Sequence, residues 1–350
     1  MKKSPRPGGL ARTIAGTGLL LALVLYPVVF TAPYPRDVMI RVFLYALLAQ
    51  AWNLLGGYCG QISLGNAIFF GVGAYTSSVL VARWDLSPWV GMLAGMALAV
   101  AVSQAIGFPC FRLRGHYLAI ATIAIGEIVQ TVVINWDALG GARGLSVPIR
   151  PETLANFQFH RAKWPYYYIA LALTSGVFAL TALVERSRLG YYFRAIREDP
   201  EAALSLGVPI TRYKLVALAL SAAATAAAGT FYAQYLLFID PESVFPLSLS
   251  ILICLVAVLG GVGTLWGPFL GAVILIPLSE ATRVLLADVA SLGGAGKALD
   301  LMIYGVLIVL VAVSEPAGLA GVLTRWGRAG RGARPAPGPA PATGVPGAPG

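Results

Sequence analysis

Charge is what this sequence has least of. Only 11% of its 350 residues are Asp, Glu, Lys or Arg, where a soluble domain carries about a quarter, so the chain has too little polar surface to stand alone in water. Acid is scarcer than base, 15 residues against 25. Histidine is almost missing, with His116 and His160 the only two, and no cluster of His, Asp or Cys supports a membrane-embedded enzyme. Cys59, Cys110 and Cys254 are odd in number and far apart, which excludes a disulfide framework and the paired spacing of a zinc site. Phosphate-binding loops are missing too. Gly294-Ala295-Gly296-Lys297 resembles the end of one, but Ser291 stands where the opening glycine belongs and Ala298 where Ser or Thr must follow the lysine. Gly261 and Gly263 would need a glycine at Trp266 to complete a dinucleotide fingerprint. The chain is therefore expected to bind no metal and no cofactor, ATP included.

Apolar sequence fills the space that charge leaves. The chain is 58% hydrophobic, has a mean hydropathy of +0.77 and carries 40 glycines, the residue that lets membrane helices approach closely. A lipid-spanning segment must satisfy its backbone internally, which takes about twenty mostly apolar residues as a helix. Ten such segments are predicted: Thr13 to Phe30, Val38 to Leu55, Ile62 to Ala82, Trp89 to Phe108, Tyr117 to Ile134, Tyr166 to Val184, Leu215 to Leu237, Leu247 to Val262, Gly267 to Leu286 and Leu299 to Val313. Glycine and polar residues interrupt the third and the ninth, so either is a candidate broken helix. The fold class is an all-α polytopic membrane protein, a bundle over 13–316 behind a basic N-terminus of residues 1–12.

Orientation follows from where the bases lie. The first segment has a basic flank, Lys2, Lys3, Arg6 and Arg12, and its exit at Phe30-Thr31-Ala32 offers no small-x-small cleavage site, so it reads as an uncleaved span. With the N-terminus inside and strict alternation, sixteen Lys and Arg fall on inner segments and seven on outer ones, with Arg41 and Arg283 left within spans. The positive-inside rule then puts both termini in the cytoplasm. The net charge of +10 is thereby explained by topology and needs no nucleic-acid partner. Residues 317–350, rich in Pro, Gly, Ala and Arg, are expected to be a disordered cytoplasmic tail, whose arginines reach membrane lipids or simply solvent.

Two long loops remain, an outer one over 136–165 and an inner one over 185–214. The inner loop holds Arg194-Ala195-Ile196-Arg197-Glu198-Asp199-Pro200-Glu201-Ala202-Ala203 and continues to Gly207. Asp199 at an N-cap, Pro200 at the first helical position and Gly207 at the far end describe a short helix. Ala203, Leu206, Ile196 and Val208 give it an apolar surface, which suits either a soluble partner or the membrane surface.

The Glu201-Ala202-Ala203 to Gly207 pattern resembles the coupling motif of ABC-importer permeases. Three further stretches extend the likeness: Asn53-Leu54-Leu55-Gly56-Gly57-Tyr58-Cys59-Gly60-Gln61-Ile62-Ser63-Leu64-Gly65-Asn66-Ala67, the run from Leu113 to Thr122, and the run from Val258 to Pro268. Together, and over nearly everything from Arg36 to Pro316, they are similar to the M-type permease subunit of the high-affinity branched-chain amino-acid ABC importer family. The resemblance implies an ABC-importer permease bundle in a bacterial or archaeal inner membrane. It also implies a machine of five parts: this chain, a homologous second permease, two ABC ATPases that use the ATP, and a periplasmic or lipid-anchored solute-binding protein. Arg197, Asp199, Pro200, Glu201, Ala202, Ala203 and Gly207 would then form the ATPase-coupling loop. Relatives that carry urea or short amides leave the solute open.

Polar residues within the spans are candidates for a translocation pathway: Gln61, Ser63 and Asn66 after Gly56-Gly57, and Thr122, Glu127 and Gln130 on the fifth span. Gly56, Gly57, Gly60, Gly65, Gly260, Gly261 and Gly263 either break helices there or let them pack. The stretches ending in Gly56-Gly57 and Gly260-Gly261 look structurally equivalent. Glu280 and Arg283, three apart, are expected to pair with each other. Glu127 has no local partner, which leaves a solute ammonium, a bond to a neighbouring helix, or a protonated packing role. An ion-coupled secondary transporter would need further intramembrane carboxylates and would leave the inner loop without a role.

Overall fold

Small residues set the spacing of the bundle. The computed structural model describes residues 23–27, 32–113, 115–159, 163–288 and 305, with only the backbone from 283 to 288. In chain order it has α1 (Pro33–Asn53), which runs on through a π-helical turn over Leu54–Tyr58, then α2 (Asn66–Trp84), α3 (Pro88–Cys110) and α4 (His116–Ile134). A loop carrying the short strand β1 (Leu145–Ser146) leads to α5 (Trp164–Arg186), α6 (Arg188–Glu198) and α7 (Pro200–Ser205). The long α8 (Ile210–Leu236), β2 (Phe238–Ile239), α9 (Pro241–Val244), α10 (Leu247–Gly260) and α11 (Gly267–Asp288) follow.

The alanine-rich α8 is the central post, packed along α2 and α3. Its approach to α2 leaves no room for a side chain: a Cβ added to Gly73 would collide with the Ala226 carbonyl oxygen and lie 2.6 Å from its carbon, and one on Gly229 would lie 2.9 Å from the Phe70 carbonyl carbon. The contact is closed by the Thr230 hydroxyl, which donates to the Gly73 carbonyl at 3.1 Å. In lipid, helices gain little from burying apolar surface against one another, so close backbone packing and such bonds supply the association energy. Gly73→Ala should therefore separate α2 from α8 at a cost of about 1–3 kcal/mol. Thermal unfolding of the purified chain in detergent checks this against Gly176→Ala, where the added methyl meets nothing within 4 Å. Equal unfolding temperatures for the two variants would refute the packing.

Among the described residues, seven helices are long and apolar enough to cross a membrane, counting α9 with α10, and α11 is apolar over Gly267–Thr282. Their connections collect at two ends. At one end stand the π-turn after α1, the α3–α4 turn, α6, α7 and the α10–α11 turn, joined by the Arg197 contact to Gly57 and the packing of Lys214 over the Phe111 ring. At the other, β1 pairs antiparallel with β2, Arg150 reaches Asp85 and the Val81 carbonyl, and Lys163 pairs with Asp37 at 2.9 Å. The chain thus alternates end to end through these helices.

One expectation needs correction. The third span was placed from Ile62, but α2 starts only at Asn66: Gly60 has a φ of +71°, and residues 60–65 are not helical. Because α11 lies along α1, Arg41 of α1 reaches the Glu280 carboxylate, pairing two charges 239 positions apart. The side chain of Arg283 lies outside the described residues, as do residues 289–298, the tail, and most of the predicted first and tenth spans.

Candidate functional site

The inner-loop helix is built by local rules. The Asp199 carboxylate accepts from the amides of Glu201 and Ala202 at 2.9 and 3.0 Å, and Pro200 occupies the first turn, where no amide is needed. The helix closes at Ser205, and Gly207 follows with φ +83°, its amide donating to the Leu204 carbonyl while Val208 donates to Ala203. The apolar surface expected of this helix is divided. Ile196 and Ala203 are buried against the bundle, whereas Leu204 and Leu206 are 61% and 85% exposed. One pair anchors the helix, and the other is presented outward.

Beneath it, three glycines make a slot. The Arg197 guanidinium donates to the Gly57 carbonyl at 2.6 Å. Its stem lies where a Cβ of Gly60 would be 3.1–3.2 Å away, and its head lies where a Cβ of Gly263 would collide. Asn53 ties the two glycine stretches to each other: its Oδ1 accepts from the Gly263 amide at 2.8 Å and its Nδ2 donates to the Thr264 carbonyl at 2.9 Å. The stretches are not equivalent, as the sequence suggested. Leu54–Tyr58 continues as a π-turn, whereas Gly261 and Gly263, at φ +122° and +76°, leave the helix for a turn. Gly56 and Gly260 serve contacts: a Cβ on Gly56 would lie 2.5–2.8 Å from the Trp52 ring, and one on Gly260 would strike the Gly267 backbone.

The non-helical segment 60–65 is held by side chains. Trp52 Nε1 donates to the Ser63 carbonyl at 2.8 Å, Leu64 N to the Thr122 hydroxyl at 3.1 Å, and Gly65 N to the Ser63 hydroxyl at 3.3 Å. Ala67 N, at the start of α2, donates to the Ser250 hydroxyl of α10 at 2.9 Å. Between α2, α4 and α10 lies a narrow cavity lined by Gly65, Ala67, Glu127, Phe245 and Ser250 among others. Among the pathway candidates, Ser63 and Thr122 meet at the segment, and Glu127 stands at the cavity. Gln61 is turned back onto the Cys59 carbonyl. Gln130, on the same helix as Glu127, does not line the cavity, and Asn66 is fully buried with no hydrogen-bond partner for its amide among the described residues. Glu127 is exposed, and its carboxylate has no hydrogen bond or ion pair among the described residues. No group of three His, Cys, Asp or Glu suited to a metal occurs among the described residues.

Sequence reasoning missed Trp52, Asn53 as a bridge, and Ser250. Their signal was present as polar or amphipathic residues inside apolar helices, but their partners lie 11, 210 and 183 positions away.

Residues 34–312 match the family described as branched-chain amino acid transport system / permease component. The chain is 33% identical to the high-affinity branched-chain amino acid transport system permease protein LivM of Salmonella typhimurium over 86% of its own length and 74% of that protein. It is 31% identical to the LivM protein of Escherichia coli K12 over 81% and 69% of the two chains. It is 27% identical to the LivH permease of Salmonella typhimurium over 66% and 79%. No solved structure matches it.

Proposed function

The chain belongs to the branched-chain amino acid transport permease family, and from that premise we propose that it is one of two membrane subunits of an ATP-driven importer. The solute is a branched-chain or related amino acid handed over by an extracytoplasmic binding protein. Ten spans with both termini in the cytoplasm, and the bacterial or archaeal plasma membrane as its site, complete the reading, supported by the sixteen-to-seven base asymmetry. A chain similar to both LivM and LivH permeases fits a pair of homologous membrane subunits. Two ATPases take the other end.

One observation carries the reading. A capped helix, α7, stands at one end of the bundle with Leu204 and Leu206 exposed, while α6 beside it is anchored through Phe193 and Ile196, both fully buried. A transport chain without a phosphate-binding loop needs such a fixed, outward surface, because a separate ATPase can shift the bundle only through contacts that differ between its states.

Co-reconstitution tests this. The purified chain alone should give no ATP binding by calorimetry. In proteoliposomes with a second permease, two ATPases and the binding protein, uptake of leucine, isoleucine or valine should require ATP. Uptake driven by an ion gradient without ATP would overturn the proposal. A higher kcat/KM for urea or short amides would keep the machine and replace the solute.

A further inference from the structure

Arg197 links features that the ATPase-docking reading leaves separate. It sits at the end of α6, one residue before the Glu198–Asp199 step into α7, yet its side chain leaves the loop and enters the slot of Gly57, Gly60 and Gly263. Its Nη1 donates to the Gly57 carbonyl at 2.6 Å. From there Asn53 continues the chain of contacts into the α10–α11 turn at Gly263 and Thr264. Trp52, the residue before Asn53, holds the Ser63 carbonyl in the non-helical segment that ends at the cavity beside Glu127. Two glycines of the slot are needed for its closeness: a methyl on Gly60 would press on the arginine stem, and one on Gly263 would take the place of its head. Both also have positive φ, +71° and +76°, which side-chain-bearing residues rarely adopt.

Resting on the reading of α7 as an ATPase-docking helix, we infer that Arg197 is the positioning residue that makes the α6–α7 loop, the segment 60–65 and the α10–α11 turn move as one body. Coupling needs a contiguous element whose arrangement both sites bias. A planar guanidinium wedged between glycine backbones transmits displacement in more than one direction, whereas a lysine ammonium on a flexible stem keeps charge and a donor but not the wedge.

The test uses the complete complex in proteoliposomes, comparing Arg197→Lys and Arg197→Met with the parent. Arg197→Met keeps most of the stem and loses every donor. The expected result is co-purification of the ATPases with both variants, an unfolding temperature within a few degrees of the parent, and solute moved per ATP reduced at least tenfold in Arg197→Met and two- to fourfold in Arg197→Lys. A coupling ratio within twofold of the parent for Arg197→Met in an assembled complex would overturn the inference. A second measurement needs no change at Arg197. In the complex carrying Gln61→Cys, the alkylation rate of that cysteine should change at least threefold between nucleotide-free and ATP-trapped states, because segment 60–65 travels with the loop. An unchanged rate in a complex that still transports would also overturn it. Failure of the ATPases to associate with the unmodified chain would instead sink the docking reading itself.

Discussion

Gly207→Val should give a complex that assembles and hydrolyses ATP but moves almost no solute. Gly207 holds φ +83° immediately beyond α7, and a Cβ there meets nothing within 4 Å. The penalty is therefore conformational and not steric crowding against a neighbour. A left-handed backbone costs a side-chain-bearing residue about 1–2 kcal/mol, more for one branched at Cβ. Since about 1.4 kcal/mol is tenfold in an equilibrium, such a strain is enough to unmake the closing turn in much of the population. Two bonds go with it, from Gly207 N to Leu204 and from Val208 N to Ala203. The same reasoning orders a series: Gly207→Asn close to the parent, because asparagine tolerates this region, then Ala, then Val. Glu201→Lys acts differently. It leaves the backbone intact but puts a positive charge in the first turn of α7, where the exposed amide dipoles disfavour it. The measurements are ATP turnover and solute flux in proteoliposomes, with cross-linking from a cysteine at Ser205. Normal coupling in both variants, with no cross-link from Ser205 to a soluble subunit, would reduce α7 to a surface connector and restore an ion-coupled secondary transporter to contention.

What was legible in the sequence was what is local. Asp199, Pro200 and Gly207 announce a helix start and stop within nine positions, and each acts as its type dictates. The spans Tyr117 to Ile134, Tyr166 to Val184 and Leu247 to Val262 were readable as apolar runs, and the helices found there differ from them by a few residues at most. The family was readable because its glycine-rich turns are contiguous, and the match over 34–312 nearly coincides with the stretch from Arg36 to Pro316 that carries the likeness. What was not legible depends on which helices become neighbours. Glu280 also meets Arg41, 239 positions away, and nothing local indicated that α11 would lie along α1. The outward face of α7 was misjudged for the same reason. Ala203 and Leu206 lie close together in sequence, and only the docking of α7 on the bundle decides that one is covered and the other left out. The glycines of the slot gave no hint that they were arranged around an arginine 137 to 140 positions on in one direction and 66 back in the other.

Glu127 carries the second large effect: Glu127→Lys should abolish uptake, Glu127→Ala should lower it about tenfold, and Glu127→Gln should hold it within about threefold. A charged side chain at the centre of a lipid-facing helix is disfavoured by about 2.5–3.5 kcal/mol, and Glu127 lies near the middle of α4, exposed and without a partner among the described residues. α4 is also the least enclosed of the seven spans. The outward side chains of α3, Val90, Leu93, Leu98 and Phe108, are all apolar and suit lipid. On α4 the outward Ile120, Ile128 and Val132 are apolar as well, so Glu127 is a lone carboxylate on a face that otherwise suits lipid, and we propose that in the assembled importer it meets a polar surface, either the second permease or the solute itself. The adjacent cavity, with Ser250 and the start of α2 on its walls, is where a solute ammonium would come within reach of the carboxylate. An amide at 127 keeps an acceptor in that position, whereas an ammonium places like charge where the solute's own must pass. The two polar surroundings separate on kinetics. If the solute is the partner, Glu127→Gln raises KM with kcat little changed. If the second permease is the partner, kcat and co-purification of the two membrane subunits fall together. Full uptake by Glu127→Ala in the reconstituted complex would show that neither contact exists.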